Sequence, residues 1–264
     1  MSDVPQSPGK GLSHGRKSIR PTLKPRALME REELAHAWTA RVITLFPDTF
    51  PGVLGASLTG KALKDGKWQL HTTDLRLFGE GRHRNVDDTP AGGGAGMVLR
   101  ADIVGRAVEA THQGGPLLYM SPRGIPFTQG MASKLAQGGG CTILCGRFEG
   151  LDERAIEHYG MLEVSVGDYV LTGGELAAQV VLDATVRLLP GVLGNEASKE
   201  EESHSAGLLE HPQFTRPAEW QGRKIPDILT SGNHGKIAEW RKAQSEALTQ
   251  ARRPDLWAKL QSED

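Results

Sequence analysis

The sequence predicts an α/β layer fold built on a largely parallel sheet. Three observations carry this: four short apolar segments bounded by Gly or Pro, helix-compatible stretches between them, and glycine-rich loops behind the strand candidates. Strands covered by helices on both faces read as near-continuous runs of Val, Ile and Leu, and these segments do.

Taken in chain order, residues 1 to 36 form a basic arm with seven Lys or Arg against four acids, turning helical from Ala27 to Trp38. The first strand candidate is Ala40–Phe46. Segment Gly81–Met97 sets Arg82, His83 and Arg84 ahead of a glycine run and has the composition of a loop that folds over an anionic ligand. A helix follows over Ala101–His112, then a strand over Pro116–Ser121, a helix over Gln129–Ala136 and a strand over Cys141–Cys145. Next come a helix over Asp152–Tyr159 and a strand over Glu163–Val166. The long helix Glu175–Leu189 places Leu176, Val180, Val181, Ala184 and Leu188 on one face, and Pro190 stops it. Residues 191 to 207 are polar and charged. Beyond about Gln213 the chain becomes Trp-rich and helical, with nine basic and seven acidic residues from Phe214 onward. The expected organisation is an arm over 1–36, an α/β domain over 37–192, a mobile linker over 193–212 and a small all-helical domain over 213–264.

Composition sets the limits. With 264 residues, 31 Lys plus Arg, 32 Asp plus Glu and 38% apolar residues, the chain can bury a core, and no run reaches the roughly 20 apolar residues a membrane helix requires. The opening residues lack the apolar stretch of a secretory signal, so a cytoplasmic setting is expected. Cys141 and Cys145 are too few for a disulfide scaffold and have no zinc-spaced partners. A net charge of −1 means that any polyanion site must be a focused patch.

The phosphate-loop, dinucleotide-loop and zincin signatures are all missing. Three loops stand out instead: Ser121–Gly124, Gly146–Arg154 and Gly167–Glu175. Ligands of open parallel sheets bind beyond the carboxyl ends of strands, where glycines let the backbone approach closely, so these loops frame one candidate pocket.

These loops belong to a longer series of motifs: Leu45–Pro47, Val86–Asp88, Gly92–Met97, Gly146–Arg154, Gly167–Glu175, Pro190–Gly194, Gly207–Pro217 and Ser231–His234. In this order, between Arg41 and Leu256, they closely resemble the bacterial tRNA (guanine-N1)-methyltransferases that modify the guanine 3′ to the anticodon. The resemblance implies a SPOUT-class enzyme: an α/β domain with a deep trefoil knot, a helical C-terminal domain, and a homodimer with active sites at the subunit interface. It implies S-adenosylmethionine as methyl donor, wrapped by Tyr119, Met120, Ser121, Pro122, Gly146, Glu149, Val166, Gly167, Asp168, Tyr169, Val170, Leu171, Gly173 and Gly174. It also implies tRNA as partner and metal assistance by Mg2+, although no ligand cage is legible here.

Methylating guanine N1 needs a base for the N1 proton and a cation for the charge that gathers on O6. The positions matching the family's base and its companion are Glu202 and Arg187, and a second matching carboxylate is Glu210. Both carboxylates depart from the family's usual Asp; Glu200 or Glu201 would serve if the register shifts. Arg187 would clamp O6 or a phosphate, and an ion pair between Arg154 and Glu149 is expected beside the donor pocket. RNA recognition would fall to the linker and to the C-terminal part, where Ser231–Lys242 reads as a capped helix start carrying Lys236, Arg241 and Lys242, with Arg252 and Arg253 beyond. Two other readings are a knotted enzyme acting on ribose hydroxyls or rRNA, and a non-catalytic RNA-binding protein.

Overall fold

The computed structural model describes residues 34, 36–193 and 207–263. Within them, five parallel strands form one sheet: β1 (Trp38–Thr44), β2 (Trp68–Asp74), β5 (Leu117–Pro126), β6 (Gly140–Cys145) and β7 (Leu162–Ser165), in the order β2-β1-β6-β5-β7. Helices α1 (Ser57–Lys64), α2 (Ala101–Thr111), α3 (Gln129–Gln137), α4 (Glu153–Tyr159) and α5 (Glu175–Val186) connect or follow them. A small antiparallel pair, β3 (Asp87–Asp88) and β4 (Val98–Leu99), brackets the glycine run. The described part after residue 206 is not all helical as expected: it holds a two-stranded ribbon, β8 (Glu219–Trp220) with β9 (Arg223–Lys224), ahead of helices α6 (Asp227–Thr230), α7 (His234–Arg252) and α8 (Pro254–Glu263), because Gln221-Gly222 closes a tight turn between two short strands. Among the described residues no helix is long and apolar enough to cross a membrane.

Side chains alternate along a strand, so each central strand feeds two cores. Ala40, Val42, Leu118, Met120, Cys141, Ile143 and Cys145 join the core under α5. Ile43, Leu117, Tyr119 and Leu144 join the core under α2 and α4. Two indoles pin neighbouring elements by donating from Nε1, Trp38 to Leu135 O and Trp68 to Thr59 O, each at 2.9 Å.

The structure departs from the sequence expectations in five further places. Trp38 opens β1 and follows a turn, so the expected helix does not reach it; residues 27–33 lie outside the described set. Strand β2 was not anticipated, because it is an edge strand whose His71, Thr72 and Thr73 need no deep burial. Ser121–Gly124 is not a loop after the strand: β5 runs on to Pro126, with a register break between Met120 and Ile125 against β7. Helix α5 ends at Val186, three residues before Leu189.

The fifth difference is the buried face of α5. Ala177, Ala178, Val181, Leu182 and Val186 face the sheet, whereas Leu176 and Val180 are 62% and 50% exposed. The helix is apolar nearly all round, and its small alanines permit the closer approach to the strands. The linker assigned to 193–212 falls largely on 194–206, outside the described residues.

Candidate active site

The carboxyl ends of β5, β6 and β7 open into a cavity of about 290 Å³. Thirteen of the fourteen residues assigned to the methyl donor line it: Tyr119, Met120, Ser121, Pro122, Gly146, Glu149, Val166, Gly167, Tyr169, Val170, Leu171, Gly173 and Gly174. Asp168 is exposed and stands outside the lining.

The cavity exists because its walls are backbone. A Cβ added at Gly174 would lie 2.7 Å from Gly146 N and 2.9 Å from Cys145 Cα, and one at Gly146 would lie 2.8 Å from Met120 O. No side chain fits at either position, so three segments distant in sequence touch main chain to main chain. Gly174 N donates to Gly146 O at 2.8 Å, fastening the start of α5 to the loop after β6. Ser165 organises the far wall, where its hydroxyl donates to Gly167 O at 3.0 Å and accepts from Gly167 N at 3.3 Å. Burial pushes the Tyr119 phenol up to about 12, so the hydroxyl stays neutral at the base of the site.

Two arginines in the lining had no role assigned from sequence. Arg147 donates from Nη1 to Thr172 O at 3.1 Å and from Nε to Glu175 Oε1 at 3.3 Å, while its guanidinium lies 4.3 Å from the centroid of the Phe46 ring. Glu175 is 6% exposed and also accepts from Thr44 Oγ1 at 2.8 Å. Arg147 Nη2 is 2.8 Å from Glu175 Oε2, yet its N–H is not aimed there and Oε2 keeps no hydrogen bond. Arg147 therefore ties the cavity loop to the ends of β1 and β6. Arg123 donates from Nε and Nη2 to Glu163 at 2.8 and 3.1 Å and also pairs with Glu153, which braces the irregular stretch of β5 against β7 and α4. Phe148, Gly150, Leu151, Val164, Ser165, Thr172 and Ala177 complete the lining. Arg123, Arg147 and Thr172 sit in the very loops singled out from sequence; what the sequence did not give is which way they point.

The expected pairing of Arg154 with Glu149 is absent: Arg154 instead donates to Asp152 two residues away, at 2.9 and 2.6 Å. An (i, i+2) acid at the helix cap lies within easier reach than a residue across the loop. Glu149 stands beside the glycine-rich segment, where its N–H donates to Met97 O at 2.9 Å and a Cβ on Gly96 would lie 2.5 Å from its Oε1.

Of the residues assigned to chemistry, the described Arg187 and Glu210 are not among those lining the cavity. Arg187 caps the C-terminus of α5, and Gly174, at its N-cap, lines the cavity. With 12 residues between them, Gly174 and Arg187 are 13 helical steps apart, so their backbones stand about 20 Å apart at a rise of about 1.5 Å per residue. Glu210 accepts from Gln213 Nε2 at 2.6 Å, and Glu202 lies outside the described residues. Among the described residues no three His, Cys, Asp or Glu side chains gather as a metal site.

In the C-terminal part the expected capped start is present. Asn233 Oδ1 accepts from Lys236 N and Ser231 Oγ accepts from Asn233 N, each at 3.2 Å. Trp240 packs near Phe214, with ring centroids 6.2 Å apart.

Residues 39–259 match the family model described as tRNA (Guanine-1)-methyltransferase TrmD. The chain belongs to that family. A tRNA (guanine-N(1)-)-methyltransferase of Roseobacter denitrificans is 72% identical over 231 residues, covering 86% of this chain and 96% of the relative. The enzyme of the same name from Ruegeria pomeroyi is 69% identical, covering 87% and 96%, and that from Brucella ovis is 63% identical, covering 83% and 90%. As a member of this family the chain is a tRNA (guanine-N1)-methyltransferase, and its parallel α/β sheet carries the segments that line the cavity.

Proposed function

We propose that this chain transfers a methyl group from S-adenosylmethionine to N1 of the guanine 3′ to the anticodon of tRNA. One observation carries the reading: thirteen residues of the family's donor motifs, drawn from three separate segments, line a single cavity of about 290 Å³ at the carboxyl edge of the sheet. The cavity suits the donor, since glycine backbone at 146 and 174 leaves a cradle that a Cβ would fill, and its lining mixes apolar side chains with backbone polar groups. When bound, S-adenosylmethionine supplies a methyl group made electrophilic by its sulfonium. Every other demand falls on the chain. Glu202 is the proposed base, taking the proton from N1 as that nitrogen forms its bond to the methyl carbon. Arg187 is the proposed cation, its planar fork donating to O6 as negative charge collects there. Glu210 is a second carboxylate within the same series of motifs. Assistance by Mg2+ is part of the same proposal.

The working unit we propose is a homodimer. Arg187 and the residues at the cavity wall lie at opposite ends of α5, which supports a site completed across a subunit interface. Exposed apolar side chains along the same helix, Leu176 and Val180, with Val170 82% exposed beside the cavity, supply the surface such a dimer covers. Leu176→Asp combined with Val180→Asp is expected to convert the dimer to monomers in analytical ultracentrifugation and to abolish methyl transfer while leaving the far-UV circular dichroism intact. A dimer that survives both charges would sink the assignment of this face.

The deep trefoil knot, the division into an α/β domain over 37–192 and a helical tRNA-binding domain over 213–264, and a cytoplasmic setting belong to the same proposal. The Gly174-to-Gly146 hydrogen bond supports the first, because it seats the chain entering α5 against the loop that leaves β6. The test is methyl transfer from labelled S-adenosylmethionine to an unmodified tRNA transcript with guanine 3′ to the anticodon. Nuclease digestion should return N1-methylguanosine alone. Label on a ribose hydroxyl would favour the alternative knotted enzyme, and no label would favour a non-catalytic protein.

A further inference from the structure

A second cavity, of about 360 Å³, lies in the part of the chain after residue 206 and shares no residue with the first. His211, Phe214, His234, Ile237, Trp240 and Arg241 are among its lining residues, and none of the lining residues is acidic. His211 Nδ1 lies 3.4 Å from Pro212 O, which favours the proton on Nδ1 and leaves Nε2 as an acceptor. That Nε2 is buried without a hydrogen-bond partner. An orphaned ring nitrogen costs free energy in the free protein, and a ligand N–H that reaches it recovers that cost.

We propose that this cavity holds one unstacked nucleobase of the bound tRNA, other than the guanine that is methylated. The inference rests on the tRNA-methylating reading above and assigns it a second base site. The chemistry points to a base for three reasons. Phe214 is 45% exposed and offers an aromatic face for stacking, with Trp240 packed at 6.2 Å behind it. His211 Nε2 accepts the ring or exocyclic N–H of a base. His234 and Arg241 in the lining put polar groups beside the opening, where the phosphates flanking the base would pass; Lys236 and Lys242 lie on the same helix outside the lining, Lys242 paired with Glu246 at 3.8 Å, and Glu239 is the other acid of this helix. Sequence-specific proteins that read RNA splay bases out of loops in this way, taking them between aromatic and hydrogen-bonding side chains.

The test uses the full chain with an unmodified tRNA transcript bearing guanine 3′ to the anticodon, and with a series of transcripts each carrying one abasic nucleotide in the anticodon stem-loop. Wild type and His211→Ala are titrated against each. The variant is expected to bind the intact transcript about tenfold more weakly, the size of one lost base contact. It should match wild type on one abasic transcript, where the occupant has already been removed. Losses of equal size on every transcript, or no loss on any, overturn the proposal and indicate a cavity filled by protein. His211→Asn, which keeps a polar group in place, gives the same readout if the alanine variant unfolds. S-adenosylmethionine affinity measured calorimetrically on the same samples should not move. A wild type that binds tRNA with this single-position pattern yet transfers no methyl would retire the catalytic reading and retain the base site.

Discussion

Glu202→Gln is expected to lower the rate of methyl transfer by about 10² to 10⁴-fold, the range over which a positioned general base contributes. Donor affinity should stay within twofold of wild type, because no residue of the 119–122, 146–149 or 166–174 segments is altered. The amide keeps the size and hydrogen-bonding outline of the carboxylate and loses only the ability to take the N1 proton. Glu200→Gln and Glu201→Gln are the controls, since either neighbour would carry the role if the register of this acidic run were shifted. Rapid-quench turnover at saturating tRNA separates the three. Full activity in Glu202→Gln with loss in a neighbour would move the base by one or two residues, and full activity in all three would remove it from this run. Raising the pH should recover part of the lost rate in Glu202→Gln, because solvent then takes over deprotonation of N1; a rate flat with pH would argue that the residue positions tRNA.

Glu175→Ala carries the largest expected cost to stability. The carboxylate is 6% exposed, accepts from Thr44 Oγ1, and neutralises Arg147, which is itself 22% exposed. Removing one member of a buried pair leaves the other charged and desolvated, at a cost of about 3 kcal/mol or more. For a chain of this size that corresponds to a fall in Tm of roughly 10 °C. Donor affinity should fall as well, because Arg147 would lose the anchor that lets it hold Thr172 O at the cavity wall. Differential scanning calorimetry and donor titration read the two effects separately. Replacing both partners, Glu175→Leu with Arg147→Met, should recover much of the stability and not the donor affinity, since no charge is then left buried while the bond to Thr172 is still missing. A stable Glu175→Ala variant would show that the pair contributes little to the fold.

The central strands were legible because a parallel sheet covered on both faces concentrates Val, Ile, Leu and Cys into short runs, as in Cys141–Cys145. β2 escaped notice for the opposite reason: at the sheet edge, His71, Thr72 and Thr73 carry no apolar signature. Periodicity places α5 and the buried Val181 but sets Leu176 and Val180 on the same face, since an apolar helix with alanines on one side gives no one-dimensional cue to which side meets the sheet. The donor segments are legible from their motifs, and all but Asp168 line the cavity, whereas nothing in the linear order pairs Arg147 with Glu175 or Arg123 with Glu163. Arg154 was paired across the loop when its acid lay two residues away.

What the sequence by itself determined is the alternation of strands and helices, the family, and the residue types available for methyl transfer, because these are written in local runs and contiguous motifs. What only the tertiary structure decided is which of those residues meet. Gly146 and Gly174 touch through backbone atoms, Glu175 is buried against Arg147, and Arg187 stands a helix length from Gly174 at the cavity wall. Contacts of this kind join residues tens of positions apart, and their energies depend on distance and burial, which a linear order of amino acids does not contain.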